Sequence, residues 1–309
     1  MVTRLESDGT GKVVRAHWID DAGNANQVEA STFVVACQAI ESARLLLNSR
    51  GPRHPQGLGN TRGLVGKNLI FSTFGSAYGD FTYAQHKDID LASDQPFVNR
   101  AVQDYYVMRD GKGKPTKGGT LTYIRVHPNP IGASLIQALR DPKKPLWGRG
   151  LKQRLSDYFH AGRHMEVETF AEWFANPRCF VKLDPQVRDR FGLPVARIGA
   201  YTHPQNRATA HALVDHAQDH LRRLGATEVF GASGVGGPST NLVGGTCRFG
   251  DDPATSVLDR DCRAHDVPNL YVTDGSFMPT GGAVPFTFTI YANALRVADR
   301  IVAALGGKR

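Results

Sequence analysis

Long apolar stretches are missing from this chain. No run of about 18 such residues occurs, which excludes a membrane-spanning helix from the sequence. The opening MVTRLESDGTGKVVRAHW has no apolar segment of the kind found in secretory leaders, so no export signal is read on this chain and a cytoplasmic setting is the default expectation. Cysteine is scarce, four in 309 residues, and no CxxC pair occurs, which leaves zinc or iron–sulfur ligation without support. Cys37 lies in an apolar run and is expected as a buried thiol, whereas Cys247 and Cys262 flank one loop and either pair or simply lie near each other. Phosphate-cradling glycine loops are absent too. Gly57-Leu58-Gly59 has its next glycine at Gly63 and follows no strand, and Gly234-Val235-Gly236 runs into Pro238 with no helix behind it. Both of these stretches read as loops, and GKGKPTKG, residues 111–118, is not a P-loop either, because it has no Ser or Thr at the required offset. There is no internal repeat and no low-complexity linker.

Apolar residues make up 41% and charged residues 21%, which is enough for an ordinary buried core. The net charge of +8 raises the question of nucleic acid, but the cations are spread along the chain, which argues against it. Their densest stretch, Arg140 to Arg154, holds Lys143, Lys144, Arg149 and Lys152 with Trp147 and two prolines. It reads as a solvated loop, or as a patch facing a partner chain or an anionic substrate.

Residues 1–36 are strand-rich, with β-branched runs (VVRAHWID, STFVVAC) broken by the turn residues DAGNAN. AIESARLLLNS then gives a helix with Ile40, Ala43, Leu46 and Leu47 on one stripe, ended by Gly51 and Pro52. From about Leu69 to Pro204 short strands (SAYGDFTY, GGTLTYIRV, HMEVETF, CFVKLD, VARIGAY) alternate with irregular stretches and helices near Ala133–Leu139 and Lys152–His160. A further helix runs from about Ala208 to Leu224, with Ala210, Leu213, Ala217, Leu221 and Leu224 as its apolar face. His216 and His220 on it stand at i, i+4, a possible metal pair, but a solvated face is the expected setting. His265 is read as structural, and Asn176, Asp184, Asp189 and Asn206 as turn formers. ATEVF and NLYVTD are strands, residues 57–68 form a glycine-rich loop, the stretch after ATEVF to about residue 250 turns glycine-rich, and the last helix runs from near Phe288 to about Leu305.

Several blocks carry a family resemblance: FVVACQAIESARLLLNS from Phe33, GLGNTRGLVGKNLIF from Gly57, NPRCFVKLDPQVRDRFGLPVARI from Asn176, and the long, specific block Gly244 to Ile301. Together they resemble the C-terminal portion of a glucose-methanol-choline (GMC) family oxidoreductase, closest in flavour to the gluconate and glucoside dehydrogenase-like branch. The resemblance implies an α+β fold: a substrate domain with a mostly antiparallel sheet and flanking helices, plus incomplete C-terminal pieces of an FAD-binding domain. It divides the chain into a partial FAD-domain segment (1–70), a substrate-binding domain (71–225) and a C-terminal FAD-domain and active-site segment (226–309). It implies hydride transfer from a CH–OH group of a sugar, polyol or alcohol to FAD.

Asp274-Gly275-Ser276 follows a buried strand, where a carboxylate can accept hydrogen bonds from a cofactor's hydroxyls; capping a turn is the ordinary alternative. By resemblance Asp274 and Gly275 meet the ribityl chain of FAD, Ala36 and Cys37 join the cofactor site, and Pro285, Phe286 and Thr287 lie at the isoalloxazine. Free N–H groups at a helix start would favour negative charge there. The catalytic pair departs from the family. The usual His position falls on Leu242, with Asn241 beside it as the nearest polar candidate, and the second position falls on Pro285. Neither Leu nor Pro can take a proton. With the GxGxxG unit also absent, two further readings stay open: a non-catalytic remnant, or a subunit that completes a flavin site with a separate N-terminal flavin-binding chain. An electron acceptor is a further possible partner. The sequence order suggests a late start within a longer reading frame, and exposed apolar surface with poor solubility is the expected consequence.

Overall fold

The computed structural model describes residues 1–82, 98–125, 130–160, 163–231 and 235–306. Tyr83 and Val126 (ends of two expected strands), Gly234 of the second glycine-rich loop, and tail residues 307–309 lie outside the described residues. The chain opens with strands β1 (Val2–Ser7), β2 (Val13–Ile19), β3 (Ala25–Glu29) and β4 (Phe33–Val35), then helix α1 (Gln38–Asn48) and the long strand β5 (Lys67–Phe81). Strands β6 (Val98–Val102), β7 (Val107–Arg109), β8 (Pro115–Lys117) and β9 (Gly119–Arg125) lead to helices α2 (Pro130–Ala138) and α3 (Gly148–His160). There follow β10 (Arg163–Glu172), β11 (Phe180–Arg188), β12 (Pro194–Gly199), α4 (Pro204–Arg223), β13 (Glu228–Gly231), β14 (Pro238–Thr246), β15 (Leu270–Val272) and α5 (Thr287–Ala304). The class is α+β with mainly antiparallel pairing, as the sequence implies.

Two compact units form, each discontinuous in the chain: residues 1–72, 173–203 and 238–309 make one, and 73–172 with 204–237 make the other. Division into three continuous segments differs from this at two places, and each difference has a pairing behind it. Residues 173–203 join the first unit because Phe180 of β11 pairs with Lys67, and because Arg44 of α1 donates to the carbonyl of Pro194 at 2.8 Å and pairs with Asp189 at 2.5 Å. Residues 226–237 join the second because β13 runs antiparallel to the end of β5, Val229 opposite Gly79.

In the first unit, β1, β2 and β3 form an antiparallel meander, and β4 and β15 pair in parallel with Val35 opposite Val272. Helix α1 buries Ala39, Ala43 and Leu46 in a core shared with Leu58, Leu69, Ile70, Val181, Leu258 and Leu270. Each buried Leu, Ile or Val of this core contributes roughly 1.5–3 kcal/mol, and each Ala less. In the second unit, β10 alternates strictly. Val167, Thr169 and Ala171 are buried, while Glu166, Glu168 and Phe170 on the other face are half-buried. Helix α4 covers the buried face with Leu213, Val214, Ala217 and Leu221 against Leu121 and Val167. Leu224, expected on the same stripe, lies beyond the last helical turn and is exposed.

Three expectations change on contact with the fold. His216 and His220 are only partly exposed and engage aromatic partners. His216 stacks on Tyr105 at 4.2 Å, and His220 sits between the hydroxyls of Tyr105 (2.8 Å) and Tyr123. The aromatic partners come from the β6–β9 region, too distant in sequence to be seen in the helix pattern. Among the described residues no group of three metal-ligating side chains gathers. Arg140, counted within the solvated basic run, is largely buried between Asp80 and Glu228, over the Phe230 ring. The stretch PSTNLVGGT, which its sequence marks only as glycine-rich, is strand β14.

Candidate cofactor-facing site

The parallel pair β4–β15 sets the site. Both strands end together, the N–H of Thr273 donating to the carbonyl of Val35 at 3.1 Å, so Ala36-Cys37 and Asp274-Gly275 leave the pair side by side. Ligands in such sheets lie off the carboxyl ends of the strands. Ala36 and Cys37 are exposed there, which corrects the expectation of a buried Cys37. The apolar run ends at Val35, and the chain turns outward at Gln38, whose φ of 73° is left-handed, to enter α1. Partial burial, and then the neighbouring Asp274 carboxylate, push the Cys37 thiol up, so it stays protonated at neutral pH. Cys179, Cys247 and Cys262 are buried free thiols, so the Cys247–Cys262 alternative resolves to two unbridged thiols.

Asp274 is half-buried and fully engaged on its protein side. One oxygen accepts from the Ser276 N–H at 2.8 Å and from the Ser276 hydroxyl, capping a single 3-10 turn, Gly275–Phe277. The turn-capping alternative is therefore realised. The other oxygen accepts from the hydroxyl of Ser42, which in turn accepts the Cys37 N–H at 3.0 Å. Ser42 is completely buried in α1, and this Cys37–Ser42–Asp274 chain satisfies its hydroxyl both as donor and as acceptor. Ser42 was not singled out from the sequence. The available signal was a hydroxyl embedded in the apolar face Ala39, Ala43, Leu46, where a buried polar group must have a partner.

Behind Asp274, the end of β14 packs without side-chain volume. A Cβ on Gly275 would stand 2.8 Å from the carbonyl of Val243, and one on Gly245 (φ 75°) would stand 2.2 Å from the carbonyl of Asn68. Thr246 donates to the carbonyl of Ala39 at 2.7 Å, joining β14 to α1. Helix α5 starts at the same place, with Ile290 against Gly275. Its N-cap, Phe286, is buried and supplies no side-chain cap, while Pro285 and Thr287 on either side are exposed. Asn241 is exposed on β14, and Leu242 packs against the core of this unit.

A second group of titratable residues lies wholly within the other unit. Burial alone would raise Asp80. The hydrogen bonds from His164 (2.6 Å) and Arg140 outweigh it, and the net shift is down. Burial and the adjacent Glu166 push Glu168 up to about 7.

Residues 175–294 match the model of the GMC oxidoreductase family. The chain is 34% identical over 306 residues to paromamine 6'-oxidase of Streptomyces fradiae, covering 98% of this chain and 51% of that protein. It is 31% identical over 307 residues to 2-methyl-1,2-propanediol dehydrogenase of Mycolicibacterium austroafricanum, covering 94% and 51% respectively. The crystal structure of pyridoxine 4-oxidase from Mesorbium loti shares the fold at a TM-score of 0.62 and 18% identity, covering 97% of this chain and 56% of that one. The chain thus spans about half the length of the relatives it matches. Family model, relatives and fold agree, and the chain belongs to the GMC oxidoreductases.

Proposed function

We propose that this chain serves the oxidation of a CH–OH group in a sugar, polyol or alcohol, by holding FAD at the Asp274 turn and the start of α5. The observation that carries the reading is the convergence of Asp274, exposed Ala36 and Cys37, and the α5 start at the carboxyl ends of β4 and β15. The residues present fit a flavin. Asp274 is braced on its protein side by Ser42 and Ser276 and keeps acceptor lone pairs for hydroxyls. Gly275 keeps the turn close to β14, and the first turn of α5 has N–H groups that no side chain caps. Proline at position 285 precedes the helix and withdraws no donor it needs. Two relatives named for oxidising paromamine and a propanediol support a hydroxylated small molecule as substrate class.

Bound flavin supplies the two-electron acceptor. The chain's own part would be to hold that acceptor through Asp274 and to offer it the uncapped N–H groups at the start of α5, whose partial positive charge favours negative charge on a bound group. Proton removal is not assigned to Leu242 or Pro285, neither of which has an acceptor. Asn241 on β14 is the polar group nearest in sequence and is proposed to hydrogen-bond a substrate hydroxyl. The lack of a base at both positions favours a second reading, a subunit that completes a flavin site with a separate flavin-binding chain or a remnant without catalysis.

The test is flavin absorbance at about 450 nm on the purified chain titrated with FAD, alone and with any flavin-binding chain encoded beside it. Flavin retained by the wild type and lost in Asp274→Ala supports the assignment. Equal retention by Asp274→Ala overturns it.

A further inference from the structure

The α2–α3 hairpin of the second unit presents a feature that the flavin site does not use. Helix α2 turns Leu135 outward, 59% exposed, with Leu139 exposed just beyond its end. The turn between the helices is ordered. The Asp141 carboxylate accepts the Lys143 N–H at 3.0 Å, and the Leu146 N–H donates to the carbonyl of Ala138 at 2.8 Å. That folding holds Trp147 out of the protein, 83% exposed, at the entry to α3. Lys143, Lys144, Arg149 and Lys152 flank it in the chain, all exposed, and form no ion pair among the described residues. The other two cations of this stretch are used internally, Arg140 on Asp80 and Glu228, and Arg154 facing Glu228 at 3.6 Å. Only Asp141 and Asp157 oppose them along residues 130–160.

We propose that this hairpin is a docking surface for an anionic lipid bilayer, with Trp147, Leu135 and Leu139 entering the headgroup boundary and Lys143, Lys144, Arg149 and Lys152 meeting lipid phosphates. At 9 and 13 residues the two helices are too short to cross a bilayer, so the hairpin lies on the surface. Composition favours lipid over protein. Protein interfaces are depleted in lysine, whereas a tryptophan flanked by lysines with aliphatic neighbours is the pattern of the membrane–water boundary. Lysine stems extend along the apolar layer while the ammonium stays at the phosphates. The inference does not rest on the flavin assignment.

The experiment is co-sedimentation of the full chain with sucrose-loaded vesicles of phosphatidylcholine alone and of phosphatidylcholine with about 30% phosphatidylglycerol, for the wild type, Lys143→Glu/Lys144→Glu/Lys152→Glu and Trp147→Ser. All three substituted lysines are exposed, so the variants should melt like the wild type; far-UV circular dichroism checks that. Partitioning onto the anionic vesicles should exceed that onto neutral ones by at least about tenfold, fall with added salt, and be lost in the triple variant. Trp147→Ser should weaken it while leaving its salt dependence in place. Equal binding to both vesicle types, or full binding by the folded triple variant, overturns the proposal. Self-association in solution abolished by the same substitutions, with no vesicle binding, overturns it in favour of a second copy of the chain.

Discussion

Asp274 and Ser42 together define what the site can tolerate. Ser42→Ala removes a fully buried hydroxyl that braces Asp274 and accepts the Cys37 N–H, and leaves that N–H without its partner. The expected cost is about 1–3 kcal/mol of unfolding free energy, read by urea denaturation. Ser42→Thr should recover most of it if the added methyl fits. The two carboxylates of the other unit give opposite pH signatures. Asp80 titrates lower in the folded chain, so its contribution is present above the unfolded value of about 3.9 and disappears as pH falls through the folded one. Asp80→Asn should therefore destabilise at pH 7 and matter less as pH drops below about 4. Glu168, pushed up to about 7, behaves the other way, because its neutral form is the one the fold favours. Its contribution is present below the unfolded value of about 4.3 and is lost as pH rises through about 7. Glu168→Gln should raise the melting free energy at pH 8 by about 1–2 kcal/mol, after allowance for solvent screening of a half-exposed group, and change little at pH 4. A Gln variant that melts identically to the wild type at pH 8 would refute the shift.

At the scale of elements, what the sequence reveals depends on whether the signal is local. Helices α1, α4 and α5 follow from apolar spacing, because each presents one stripe to a core: Ala39, Ala43 and Leu46, then Leu213, Ala217 and Leu221, then Ile290, Val297 and Ile301. Strand β10 follows from its alternation. Strand β14 does not, because PSTNLVGGT has the composition of a loop. Its glycines serve close backbone approach to Gly275 and Asn68, a requirement that only the folded partners reveal. The Asp274 turn was legible because residue type, strand end and neighbouring glycines agree, whereas its brace, Ser42, comes from a helix 232 residues away. The same logic of close approach governs Gly119 at the start of β9. A Cβ there would fall 2.1 Å from the carbonyl of Phe170 and 2.6 Å from Leu213 of α4. Since β9 and β10 are locked in register there, Ala171 opposite Gly119, the backbone cannot step aside. Gly119→Ala should cost about 1–3 kcal/mol or more, with loss of amide protection in both strands as the readout.

For the molecule as a whole, the balance of surface and charge sets its behaviour in solution. Helix α5 buries one line of residues in the first unit and turns Phe288, Tyr291 and Leu295 outward, all well over half exposed. Val34 of β4 is exposed in the same unit, although its neighbours Phe33 and Val35 are core. Scattered apolar residues on a surface are ordinary, but three large ones on successive turns of one helix form a stripe that water solvates poorly. A net charge of +8 opposes association between copies, and that repulsion reaches only about 10 Å at 0.1 M salt. The two effects together predict that the chain on its own stays dispersed at low ionic strength and associates as salt rises. Light scattering across a salt series would detect this. Phe288→Ser with Leu295→Ser should suppress the association without lowering the melting temperature, because neither side chain belongs to the core. A wild-type chain that remains a monodisperse monomer at high salt would mean that the α5 stripe is solvated as it stands.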